Sequence, residues 1–178
     1  MTRAKRQGMS TFDTFSERAW LDQSERRMRR IVQEYGCYIQ VVAGTAGEPP
    51  FAYTVGLFGL GHRELVVFGL DYESSVGTLG WFSQQVRDDA VLTHGQIVRP
   101  PGSGMRFLVE RFPNPGATVF AANRMYQRTR KTSVPVYQLT WDVDGAFPWE
   151  PGYPYPATLQ PRPGTYGRNR PGTNRDLP

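Results

Sequence analysis

The chain has 178 residues, 39% of them hydrophobic and 13% aromatic, which excludes a disordered polymer and suffices for one domain with its own core. Its formal net charge of +5 comes from the ends, because residues 1–30 carry +4 (eight basic, four acidic), residues 162–178 carry +3 (four and one) and residues 31–161 carry −2 (nine and eleven). A mildly acidic middle between basic ends is typical of solvated termini and argues against specific nucleic-acid binding.

The first predicted element is a helix that follows an N-terminal tail at residues 1–15. From Trp20 onward, apolar residues recur at helical spacing, and Gly36 is placed to end the helix. Glu25 and Arg29 have the spacing of an i,i+4 ion pair on the polar side. The basic cluster around them is therefore interpreted as a solvated helix face and not as a recognition helix.

After Gly36 the hydrophobic period changes from helical to alternating, which predicts three strands. The predicted strands cover residues 37–43, 51–57 and 65–70. Their connections are too short for a helical crossover, so we expect them to pair as an antiparallel meander. The third strand is apolar on both faces, which predicts a central position in the sheet.

The second half of the chain is predicted to alternate helices and strands. Asp71 is placed to cap a second helix. Further elements are expected in this order: strands around residues 96–99 and 106–112, a helix over residues 117–130 and a strand over residues 134–141. The order α-βββ-α-ββ-α-β predicts one α+β domain over residues 16–161, with helices packed on a mainly antiparallel sheet.

A proline-rich segment follows the last strand. Residues 142–164 hold six prolines, whose fixed φ angles predict a stiff, extended chain. We expect it to wrap an edge or a face of the sheet, with Phe147 and Trp149 as anchors. The composition beyond it predicts a disordered tail at residues 162–178.

The chain carries the marks of a cytoplasmic bacterial protein. Cys37 is its one cysteine, so no intramolecular disulfide forms and a reducing compartment is expected. The sequence has no apolar run long enough to span a membrane and no apolar signal-peptide core at its start, so no membrane partner is predicted. Arginine makes up 19 of the 21 basic residues, a bias typical of GC-rich bacterial genomes.

Several short motifs between Tyr35 and Pro161 follow the order of a known bacterial family. They are Thr54–Leu57, Gly61–His62, Glu64–Leu65, Gly69–Leu70, Gln138–Leu139, Trp141–Asp142, Gly145, Phe147–Trp149 and Gln160–Pro161. On these motifs the chain resembles the family known as domain of unknown function 4262, a resemblance that implies no activity. The family pattern has proline where this chain has Arg63, which adds a charge and loosens the backbone of that loop.

The loop between the second and third strands holds the main candidate site. His62 and Glu64 lie two residues apart beside Gly56, Gly59 and Gly61. If the strand begins early, both side chains share one face, and Glu64 can orient the imidazole as a general base. The alternative is a loop histidine bonded to backbone, with a carboxylate at the start of the strand. The glycines lead into a strand and not into a helix, which argues against a phosphate loop.

Neither a nucleophile nor a metal site accompanies this loop in the sequence. There is no Gly-x-Ser-x-Gly turn, and Cys37 lies on an apolar strand face, where a buried and inert thiol is expected. The conceivable ligands lack metal-ligand spacing; they are Cys37, His62, Glu64, His94 and Asp142. No metal and no cofactor is therefore predicted.

Three functions remain open at this stage. The first is binding of a small molecule or a protein partner in a pocket near His62, with these ligand-binding residues: Thr54, Gly56, Gly61, His62, Arg63 and Trp149. The second is a hydrolase-like or transferase-like enzyme that uses His62 with Glu64 or Glu150 as catalytic residues. The third is a structural interaction module. The sequence leaves the ligand, the reaction and the oligomeric state open.

Overall fold

A computed structural model describes residues 11–166, with side chains from Arg18 onward. In this range lie the helices α1 (Thr11–Tyr35), α2 (Tyr72–Arg87) and α3 (Phe120–Met125) and the strands β1 (Tyr38–Val42), β2 (Phe51–Val55), β3 (Glu64–Phe68), β4 (Ile97–Val98), β5 (Phe107–Phe112) and β6 (Val136–Trp141). Short 3-10 helices lie at Leu57–Leu60 and Pro115–Ala117. The predicted order of helices and strands and the α+β class are confirmed.

The six strands form one sheet in the order β1-β2-β3-β6-β5-β4. The predicted meander is confirmed, because β1 pairs with β2 and β2 pairs with β3 in antiparallel register. The sheet as a whole is mixed, since β6 lies between β3 and β5 and runs parallel to β3 while antiparallel to β5. Residues 69–135 separate β3 from β6, which leaves room for the long crossover that parallel pairing requires.

Helices cover both faces of the sheet. Leu79 and Phe82 of α2 pack on one face, and Met28 of α1 and Ala122 of α3 pack on the other. Every residue of β3 is buried, as predicted for a central strand that is apolar on both faces. The layered core therefore holds the two ends of β3 in fixed positions, and the candidate site lies at its first residue.

Two predicted helix ends are confirmed by their hydrogen bonds. The carboxylate of Asp71 accepts from the N–H of Ser74 at 2.8 Å and caps α2. Gly36 ends α1 with a φ of 77°, and its N–H donates to the carbonyl of Val32 at 2.8 Å. None of the helices in the described part of the chain combines the length and the apolar composition that a membrane crossing requires.

Helices α1 and α3 begin or end at other residues than the sequence predicted. Helix α1 already begins at Thr11, inside the predicted tail, and residues 1–10 of that tail lie outside the described residues. Helix α3 is shorter than the predicted span 117–130, because a 3-10 turn precedes it and Gln127, with a φ of 52°, follows its end.

The proline-rich segment lies along the sheet, as predicted. The buried side chain of Gln160 accepts from the N–H of Trp141 at 2.9 Å and donates to its carbonyl at 2.8 Å. One residue further on, the carbonyl of Pro161 accepts from the side chain of Gln138 at 2.8 Å. These hydrogen bonds between the segment and the sheet thus give the buried amide groups of both the partners that water cannot supply there. Residues 167–178 of the predicted C-terminal tail lie outside the described residues.

Candidate functional site

The loop between β2 and β3 takes its shape from two glycines. Gly56 has a φ of 134°, which residues with a side chain rarely adopt, and a Cβ atom there would lie 2.6 Å from the carbonyl oxygen of Gly36. The 3-10 turn Leu57–Leu60 follows, and Gly61 ends it in the left-handed region with a φ of 80°. The loop therefore turns back tightly towards the first residue of β3.

That first residue, Glu64, accepts the hydrogen bonds of the turn. Its side chain is fully buried. Its carboxylate accepts from the hydroxyl of Thr54 at 2.6 Å and from the N–H groups of Gly56 at 2.9 Å, Leu57 at 3.3 Å and Phe58 at 3.1 Å. We call these five residues the Glu64 clamp.

The Glu64 clamp buries a carboxylate among neutral donors. No Lys, Arg or His side chain is among the hydrogen-bond or ion-pair partners of Glu64 within residues 11–166. Burial raises the pKa of Glu64 to about 7, and the hydrogen bonds oppose that shift. Successive backbone N–H groups form a typical anion-binding nest, and here the protein's own side chain occupies it. The clamp thus fixes the shape of the loop.

His62 is bonded to the backbone through both ring nitrogens. Nδ1 lies 2.7 Å from the carbonyl oxygen of Arg63, so Nδ1 carries the proton, and Nε2 accepts from the N–H of Leu92 at 3.4 Å. Partial burial of the ring lowers the pKa of His62. The neutral imidazole therefore connects its loop to the chain that follows α2.

The two carboxylates that the sequence suggested as partners of His62 bond elsewhere. Glu64 belongs to the clamp, and Glu150 accepts from the N–H of Phe147 at 2.8 Å in the turn after β6. In the described part of the chain neither forms a hydrogen bond with His62. The interpretation of His62 as a backbone-bonded loop residue fits this geometry better than an oriented general base does.

A basic surface lies next to His62. The guanidinium of Arg63 lies 5.0 Å from the centroid of the Tyr137 ring, and the His62 ring approaches the same ring edge-on at 6.2 Å. Arg111 of β5 is paired with Tyr137 of β6, and its N–H donates to Nδ1 of His94 at 3.2 Å. Paired residues project from the same face of a sheet, so Arg111 also lies beside Tyr137. We call His62, Arg63, His94 and Arg111 the basic rim.

Among the described residues, the arginines of the basic rim have no acidic partner. Within the described range, the ion pairs with Asp or Glu involve these arginines: Arg29, Arg106, Arg124 and Arg162. Neither Arg63 nor Arg111 takes part in one. The ring of Tyr137, itself buried, holds the Arg63 guanidinium by a cation–π contact. The rim therefore presents positive charge that no carboxylate of the described chain neutralises.

Trp149 belongs to a separate cluster. It is 45% exposed and stacks on the buried ring of Phe147 with centroids 5.1 Å apart, so Phe147 alone is a buried anchor. The guanidiniums of Arg162 and Arg106 lie over Trp149 and Phe147 at 4.1 and 5.1 Å. This cluster lies at the end of β6, because Phe147, Trp149 and Arg162 follow that strand and Arg106 precedes Phe107, the partner of Trp141. His62 instead packs near the start of β6.

The proposed ligand residues thus fall into four groups. Thr54 and Gly56 belong to the clamp, and the hydroxyl of Thr54 additionally accepts from the N–H of Leu65 at 2.8 Å. Gly61 shapes the turn. His62 and Arg63 lie together in the basic rim, apart from Trp149.

The described residues contain no group of three or more His, Cys, Asp or Glu side chains arranged to hold a metal ion. The thiol of Cys37 lies 3.4 Å from the hydroxyl of Ser83, and burial raises its pKa to about 11. The thiol is therefore protonated at neutral pH and a poor nucleophile.

Sequence reasoning missed three residues of this region. Tyr126 accepts from the N–H of Gly59 at 3.0 Å and supports the loop from outside, while Tyr137 and Arg111 complete the basic rim. Each reaches the loop across a long sequence separation. Tyr137 and Arg111 lie in strands that the sequence predicted. Their proximity to Arg63 depends on the pairing of β6 with both β3 and β5.

Comparison with known proteins identifies one family and no individual relative. A model of the family described as Domain of unknown function (DUF4262) matches residues 31–154. This range is more than half of the chain and contains both the Glu64 clamp and the basic rim. No curated protein and no solved structure matches the chain.

Proposed function

The chain belongs to the DUF4262 family, as its motifs indicated, and on that premise we propose that it binds a small anionic ligand, bearing a phosphate or carboxylate group, at the basic rim. The observation that carries this proposal is the position of Arg63, held over the Tyr137 ring with no acidic partner among the described residues. A guanidinium placed by an aromatic ring keeps its N–H donors for a ligand.

Arg111 lies beside Tyr137 on the neighbouring strand, and His94 lies next to the backbone of Arg111. Nδ1 of His94 accepts from the backbone of Arg111, so the proton of the neutral ring resides on Nε2, which can donate to a ligand. The fork of N–H groups on a guanidinium matches the oxygens of a phosphate or a carboxylate. Two arginine side chains beside the Tyr137 ring are therefore suited to an anion, and His94 adds an N–H at the edge of β5 that faces away from β6.

Binding is favoured over the enzyme alternative by the engagement of the acidic side chains. A histidine base needs a group that orients it towards a substrate, but Glu64 and Glu150 accept from backbone N–H groups. In this proposal His62 positions the loop against Leu92, the clamp keeps the loop rigid, and Arg63 contacts the ligand. A structural interaction module is the remaining alternative, and it predicts no response to small anions.

Titration with inorganic phosphate and with malonate, followed by amide NMR shifts, tests the proposal. We expect saturable shifts at Arg63, Leu92 and Arg111. The variants Arg63→Gln and Arg111→Gln should each weaken binding about tenfold, the effect of losing one charge-assisted hydrogen bond.

Arg27→Gln is the matched control, because Arg27 is exposed on α1 and forms no ion pair within the described range. It should leave the Kd unchanged. Equal weakening by all three variants would mean that anions respond only to net charge, and the absence of saturable shifts would refute an anion site.

A further inference from the structure

A buried carboxylate, that of Glu110, lies on the sheet where the proline-rich segment crosses β5 and β6. Glu110 of β5 is paired with Gln138 of β6, whereas the next residue, Arg111, is paired with Tyr137. Paired residues share a face of the sheet, and successive residues of a strand alternate between faces. Glu110 therefore lies on the opposite face from the basic rim, and an inference about it is independent of the proposed function.

Glu110 and Trp149 hold one guanidinium between them. The carboxylate of Glu110 accepts from the Arg162 side chain at 3.0 Å. The central carbon of the same guanidinium lies 4.1 Å from the centroid of the Trp149 ring. A carboxylate attracts a cation by its charge, and the face of an indole attracts it by its quadrupole. We call Glu110 and Trp149 the guanidinium site.

The charge at the guanidinium site is balanced only while Arg162 is in place. Among the described residues, Glu110 forms one ion pair, with Arg162. The nearby Arg106 already has its own partner, Asp142, at 2.6 Å. Departure of the Arg162 side chain would leave a buried carboxylate without a counter-charge, which is costly. The site therefore selects a cation and disfavours an anion.

The polar side chains beside Glu110 lack hydrogen-bond donors. The second carboxylate oxygen of Glu110 accepts from the hydroxyl of Thr140 at 2.7 Å. The amide N–H groups of Gln138 donate to that hydroxyl at 3.3 Å and to the carbonyl of Pro161 at 2.8 Å. The buried amide oxygen of Gln138 has no partner within the described residues. An occupant that brings several N–H donors therefore suits this region better than one that brings acceptors.

The Arg162 side chain can leave the guanidinium site while the segment stays in place. It is 49% exposed, so water can solvate it. The backbone before it is held by Gln160, which bonds to the N–H and the carbonyl of Trp141, and by the carbonyl of Pro161. None of these bonds involves the Arg162 side chain. Arg162 is thus an internal occupant with a high effective concentration, and a free ligand competes with it.

We propose that the guanidinium site binds a small molecule with a guanidinium group, which takes the place of the Arg162 side chain. A guanidinium is planar, so it stacks on the Trp149 ring, and its fork of N–H groups matches the carboxylate of Glu110. An alkylammonium carries the same charge but is a compact, strongly hydrated group that does not stack. The site therefore distinguishes the two cations by shape and not by charge.

Titration with butylguanidinium and with butylammonium, which match in charge and alkyl chain, tests the proposal. We expect butylguanidinium to cause saturable NMR shifts of the Trp149 indole N–H and the Glu110 amide, and butylammonium to bind at least about threefold more weakly. Arg162→Gln removes the internal competitor and should tighten butylguanidinium binding about tenfold. In that background, Trp149→Ala and Glu110→Gln should each weaken binding about tenfold.

Arg128→Gln is the matched control, because the Arg128 guanidinium also lies over an aromatic ring, that of Phe58 at 5.3 Å, but has no acidic partner within the described range. It should leave butylguanidinium binding unchanged. Amide spectra report whether each variant is folded, and the comparison of the two cations in the wild type needs no variant. Absence of saturable shifts in the wild type, equal affinity for the two cations, or equal tightening by Arg128→Gln and Arg162→Gln would each overturn the proposal.

Discussion

The Glu64 clamp and the basic rim lie on one short stretch of chain and use charge in opposite ways. In the clamp a fully buried carboxylate accepts four hydrogen bonds from neutral donors. In the rim, Arg63 directly precedes that carboxylate in sequence, yet it lies over Tyr137 and forms no ion pair within the described range. The Glu64 side chain turns back to the N–H groups of the loop while the Arg63 side chain lies over Tyr137, which keeps the two charges apart.

The contrast shows that the extent of burial decides whether a charged side chain here stabilises the fold or remains available to a ligand. A buried donor or acceptor that loses its partner costs free energy, so the clamp determines the shape of the loop. A partly exposed cation such as Arg63 can still be solvated by water, so it costs little without an acidic partner and the rim can keep its donors for a ligand. Variants of the clamp should therefore change stability, and variants of the rim should change binding.

The largest effect is expected from Glu64→Ala. This change leaves a buried hydroxyl and three loop N–H groups without an acceptor, and we expect the free energy of unfolding to fall by about 4 kcal/mol. Urea unfolding measures the difference. Glu150→Ala is the control, because Glu150 caps an exposed turn, and it should cost about 1 kcal/mol or less. A similar loss in both variants would refute the distinction between a buried and an exposed carboxylate.

The second effect concerns pH. Burial raises the pKa of Glu64 from its usual 4.5 to about 7, so the folded protein binds this proton more tightly than the unfolded chain does. The resulting stability is fully present below pH 4.5 and is lost as the pH rises through about 7. Relative to Glu64→Gln, which cannot titrate, the wild type should lose about 3 kcal/mol across that range. A constant difference between the two proteins would contradict a raised pKa.

His62 provides an internal comparison for the pH experiment. Burial lowers its pKa, so the unfolded chain binds the proton more tightly and the contribution of His62 to stability falls as the pH drops through the range below 6.5. In the His62→Gln variant, the loss of stability below pH 6.5 should disappear, while the pH dependence of stability that is due to Glu64 should remain. If His62→Gln removed both, the two groups would titrate as one coupled pair.

A smaller effect is expected from Tyr126→Phe. Its hydroxyl accepts from the N–H of Gly59, but Gly59 is exposed, so water can replace the lost partner. We expect the free energy of unfolding to fall by about 0.5 kcal/mol. Urea unfolding of this variant and of Glu64→Ala under the same conditions measures the two losses. A loss as large as that of Glu64→Ala would mean that burial does not separate these two supports of the loop.

The smallest effect on stability is expected from Arg63→Gln. The partly exposed Arg63 side chain makes one cation–π contact, with Tyr137. Its loss should change the free energy of unfolding by about 0.5 kcal/mol or less. The same protein should bind phosphate about tenfold more weakly. A large loss of stability together with unchanged phosphate binding would mean that Arg63 has a structural role and does not contact the ligand.

Local signals predicted the local parts of this molecule. Alternating periods placed β1, β2 and β3, and Gly36 and Asp71 marked helix ends that the structure confirms. The loop itself was also found from sequence, because glycines beside a histidine and a carboxylate are visible in one dimension. The ends of α3 were predicted poorly, since turn conformations at its flanks override the helical pattern.

The sequence by itself determined the order of elements, the antiparallel meander and the segment that carries Glu64 and Arg63, because each depends on the spacing of neighbouring residues. Only the tertiary structure decided that Glu64 bonds to the loop and not to His62, because that choice depends on which groups burial leaves without water. It also decided that β6 pairs with β3 in parallel and brings Tyr137 and Arg111 beside Arg63. Pairing between strands so distant in sequence is set by the packing of the whole sheet between its helices, which no local period encodes.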